Sequence, residues 1–64
     1  MNELEYLLKE YKERIGQLSD ALALNHITSY EEYKYTCGQI RGLEAACFII
    51  QDLQRNREHS DSGD

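Results

Sequence analysis

Between Leu4 and Leu22 the apolar residues fall at Leu4, Leu8, Tyr11, Ile15, Leu18 and Leu22, separated alternately by four and three positions. At about 100° per residue these six side chains lie within an arc of about 80°, with Leu7 just beside it. That is the heptad seam of an amphipathic helix made to pack against one other helix. Its opposite face places Glu5 before Lys9 and Glu10 before Arg14 in the favourable i,i+4 order. Glu3 and Glu5 suit the positive end of the helix dipole. The pattern predicts helix 1 over residues 3–24.

The seam stops at "LNHITSYEEY". Asn25 tolerates the left-handed conformation that ends helices, and Ser29 followed by Glu32 is a capping box, in which each side chain satisfies an orphan amide of the next helix. A turn over residues 25–29 and helix 2 over residues 30–57 follow. The remainder, residues 58–64, is polar, acidic and aperiodic, and reads as a disordered tail.

Two helices joined by so short a connection fold back on each other, so the fold class is all-α, an antiparallel helical hairpin. Equal rise in both arms brings Leu4 level with Ile50, Leu8 with Ala46, Tyr11 with Leu43, Leu18 with Thr36 and Leu22 with Tyr33. Gly16 and Gly38 also come level. Glycine costs about 1 kcal/mol relative to alanine inside a helix, so these positions predict either a close approach of the two backbones or a bulky ring, that of Tyr11 near the level of Gly42, lying flat on a bare helix.

Helix 2 carries more apolar surface than one neighbour can cover. One arc holds Thr36, Ile40, Leu43, Cys47 and Ile50, and an adjoining arc holds Tyr35, Gly38, Gly42, Ala45, Ala46, Ile49 and Leu53. Together they span about 220° of the helix, whereas one packing partner needs a stripe somewhat wider than 100°. The excess predicts a homodimer, most simply two hairpins joined in a four-helix bundle with helix 2 inside, or a higher homo-oligomer. The second arc, with its small residues, is the expected self-association interface, although periodicity alone leaves open which arc faces helix 1.

A chain of 64 residues buries only about 60% of the surface its unfolded form exposes, so folds of this size need disulfides, metals or partners. Disulfides do not serve: Cys37 and Cys47 are about 15 Å apart along one helix axis, beyond the roughly 7 Å limit between bonded cysteine Cα atoms. Cys47 falls in the apolar stripe, as a buried free cysteine does. His26 in the turn and His59 in the tail have no rigid partner, and no CxxC or HxxxH spacing occurs. No catalytic, cofactor-binding or metal-ligating residue is therefore expected, and the chain reads as no enzyme.

The net charge of -5 disfavours nucleic acid, whose phosphates call for a basic face. The longest apolar run, Ala45 to Ile50, falls far short of the roughly 20 residues that span a bilayer, and the amino terminus lacks the features of a secretion signal. Tyr6, Tyr30 and Phe48 lie off the packing arcs and form a candidate surface for another protein, since aromatic side chains anchor interfaces.

The segment "EEYKYTCGQIRGLEAACFIIQDLQ" has an aromatic-rich entry, Cys-Gly, two residues, Gly-Leu-Glu-Ala and an aliphatic finish. It resembles small uncharacterised two-helix proteins of tailed bacteriophages, over roughly Ile27 to Gln54, with a vaguer match through "LLKEYKERIGQLSDAL". The resemblance implies a viral protein in the host cytoplasm or the virion. It implies a structural or assembly role through self-association and contact with another viral or host protein. The competing expectation is a small regulator that binds a host protein or RNA.

Overall fold

The computed structural model describes residues 2–61 and contains two α-helices, α1 (Glu3–Ala23) and α2 (Tyr30–Asp61), packed against each other. Both starts are capped by side chains. The Asn2 side chain accepts a hydrogen bond from the Glu5 amide at 2.8 Å, satisfying one of the donors that open a helix. At α2, the Ser29 hydroxyl oxygen accepts from the Glu32 amide at 3.1 Å, while the Glu32 carboxylate reaches back to the Thr28 amide at 3.4 Å. The reciprocal arm of the capping box thus lands one residue earlier than its usual target.

α1 ends in a Schellman motif. Asn25 has φ 57°, the left-handed conformation, which lets the His26 amide donate to the Ala21 carbonyl at 3.0 Å and the Asn25 amide to the Leu22 carbonyl at 3.4 Å. These bonds satisfy carbonyls that the helix end would otherwise strand, and they turn the chain toward α2.

The end of α2 departs from the sequence expectation. The helix runs past residue 57 to Asp61, so residues 58–61 continue it instead of belonging to a disordered tail. Neither proline nor glycine occurs between Asp52 and Asp61 to stop it, and polarity alone does not break a helix. Residues 62–64 of the expected tail lie outside the described residues.

All six seam residues of α1 are half-buried, and against them α2 turns the arc that includes Thr36, Ile40, Leu43, Cys47 and Ile50. Among the described residues only Thr36, Cys47 and Ile50 are buried, and no side chain is fully enclosed. The core is one seam deep. The molecule is a rod of 53 × 19 × 14 Å with a radius of gyration of 15.4 Å, where a compact chain of this length has about 11 Å. α2, at 32 residues, outlasts α1 at 21. Its C-terminal end therefore runs roughly 15 Å beyond the start of α1.

The expected role of the glycines within the hairpin is corrected. A Cβ built on Gly16, Gly38 or Gly42 meets no neighbouring atom within 4 Å. The two backbones do not meet at Gly16 and Gly38, and the Tyr11 ring does not lie on Gly42. The levels match, but the directions do not: Gly16 points about 120° away from the middle of its seam, and Gly38 about 160° away.

Candidate functional site

With the inner arc of α2 placed against α1, the outer arc is left uncovered. Tyr35, Gly38, Gly42, Ala45, Ile49 and Leu53 are all exposed, and Ala46 is half-buried where the two arcs meet. The contrast is sharpest between neighbours, with Ile49 at 68% exposure and Ile50 at 9%. Which arc faces helix 1, undecidable from two equally regular stripes, is thus answered by the packing.

This outer face has relief as well as apolar character. Its N-terminal half is bare at Gly38, Gly42 and Ala45, and its C-terminal half carries the bulk of Ile49 and Leu53, with Tyr35 standing at the opposite end. Leu7 of α1 is exposed too. The 100° step puts it on the same side of the hairpin, near the level of Ala46 and Ile49, so it extends the apolar face onto the second helix. The sequence signal for Leu7 was its place just outside the α1 seam.

The aromatic residues expected to meet another protein are spread out. Phe48, at 72% exposure, projects from the side of α2 away from the outer arc. Tyr30 lies at the start of the same helix, where Lys34 Nζ sits 5.5 Å from its ring centroid, an exposed cation–π contact worth about 0.5–1 kcal/mol. Tyr6 is on α1, its hydroxyl donating to Glu10 Oε1 at 3.5 Å. All three are exposed, and the structure does not gather them into one patch.

Cys37 is half-buried and Cys47 buried, and both are free thiols. The depressions of the surface are open grooves along the helices, one lined by Glu5, Leu8, Lys9, Lys12 and Glu13 and another by Tyr33, Lys34, Cys37, Gly38 and Arg41. Among the described residues, no three histidine, cysteine or acidic side chains cluster as metal ligands, and no helix is long and apolar enough to cross a membrane. The one ion pair among them, Asp52 with Arg55 at 3.7 Å, lies on the exposed surface of α2. The feature that distinguishes this molecule is therefore the uncovered apolar face of α2. Compared with protein-family models, curated proteins and solved structures, the chain matches none.

Proposed function

We propose that this chain works without chemistry of its own, as a self-associating helical hairpin that pairs through the outer face of α2 and presents its remaining aromatic residues to another protein. The observation that carries this reading is the uncovered face itself: Tyr35, Ile49 and Leu53 stand exposed around Gly38 and Gly42, whose cost to the helix nothing inside the hairpin repays. The rod shape adds to this, since the chain exposes 5260 Å², against about 4,250 Å² for a compact monomer of 7.5 kDa.

The resemblance to small phage proteins gives the pairing a setting, a structural or assembly role in a virus, with Phe48, Tyr30 and Tyr6 offered to a further component. Sedimentation equilibrium at micromolar concentration tests the first step, with twice the 7.5 kDa chain mass expected. A species of single-chain mass that persists at millimolar concentration overturns it. Mass spectrometry of purified particles tests the setting. Stoichiometric copies support a structural role, whereas absence from particles combined with salt-sensitive retention of RNA replaces it with the regulator.

A further inference from the structure

We infer that the second copy lies antiparallel to the first, α2 against α2, with Ile49 seated over the partner's Gly42, Leu53 near the partner's Gly38, and Ala45 beside the partner's Ala46. This inference rests on the self-association proposed above and adds its direction and register.

Shape is the first argument. The outer face is bare toward its N-terminal half and bulky toward its C-terminal half. Antiparallel pairing sets the bulk of each copy on the bare half of the other. Parallel pairing sets Ile49 and Leu53 against themselves and leaves glycine facing glycine across a void, forfeiting the dispersion contacts that close packing supplies. A two-fold axis near Ala45 and Ala46 satisfies both copies at once, as a closed dimer requires.

Charge is the second argument. α2 has Glu31 and Glu32 in its first turn and Arg57 toward its other end, all exposed. In the antiparallel register Glu31, which the 100° step places on the outer face, lies within one helical turn of the level of the partner's Arg57, so opposite charges approach at each end of the interface. In a parallel pair each glutamate meets its own copy. Helix dipoles favour the antiparallel choice as well.

Cysteine cross-linking decides the matter. In a Cys37→Ser background, which leaves Cys47 buried on the inner face, Ala45→Cys is expected to form a disulfide-linked dimer on mild oxidation. Tyr35→Cys is expected not to, because antiparallel pairing holds the two copies of that position about 30 Å apart. Cross-linking at both positions means a parallel pair and overturns the direction. A dimer by sedimentation that cross-links at neither position uses another face, which overturns the register while leaving self-association standing. A monomer by sedimentation removes the self-association reading itself. Arg57→Glu adds an independent check, expected to weaken the dimer a few-fold and to lose that effect at high salt; no change overturns the charge pairing.

Discussion

Ile49 and Ile50 are neighbours in the chain and live in different surroundings, the first open to water and the second packed against α1. One step along a helix turns a side chain by about 100°, enough here to pass from one face of α2 to the other. The inner face is continuous in bulk, with Ile40, Leu43, Cys47 and Ile50 matched to the α1 seam. The outer face alternates bulk with absence, Tyr35, Ile49 and Leu53 around Gly38, Gly42 and Ala45. The first is satisfied within one chain. The second has a similar aversion to water and no cover within the chain, which is why the proposed function assigns folding to one face and pairing to the other.

The largest effect should come from Ile50→Ala. Emptying a buried isoleucine site costs about 2–5 kcal/mol, a large share of what so thin a core supplies. Urea denaturation followed by circular dichroism should show most of the stability gone; an unchanged midpoint would mean that the inner face is not what holds the helices together. Gly42→Leu should act on the outer face alone. It is expected to weaken association tenfold or more, about 1.4 kcal/mol, without loss of helix content, because a side chain added there meets nothing inside the hairpin. Association as tight as in the parent, measured by sedimentation, takes Gly42 out of the interface.

Ser29→Ala removes the oxygen that accepts the Glu32 amide and should cost about 1 kcal/mol. It lowers the melting temperature of single and associated chains alike, so a drop confined to one of them contradicts a purely local cap. The smallest effect belongs to Ile49→Ala in dilute solution, where the chain is single: within about 0.5 kcal/mol, as for other exposed sites. A loss there as large as for Ile50→Ala would erase the distinction between the two faces.

Much of this architecture was legible because it is periodic or chemically marked. The four-three alternation from Leu4 to Leu22 identified every half-buried seam residue of α1, and Asn25, Ser29 and Glu32 announced the turn through side chains with few alternative uses. Asn2, followed three residues later by Glu5 at the start of the seam, carries the same kind of start signal for α1 as Ser29 and Glu32 carry for α2. The glycines were misread for a geometric reason. Matching levels along two arms fixes height but not direction, and Gly16, Gly38 and Gly42 all point away from the shared seam. The end of α2 was misread because "EHSD" is polar without containing a breaker. The choice between the two arcs lay beyond periodicity, since both repeat alike and only the volume that fills the gap to α1 separates them.

That no side chain among the described residues is fully enclosed has a consequence for how the amides of the single hairpin trade hydrogen for deuterium. With nothing shut away, opening can begin at any rung and spread, and protection should be low and nearly even along both arms. A paired molecule would instead acquire a slow-exchanging block around Gly42 to Ile49, a centre that neither copy owns by itself.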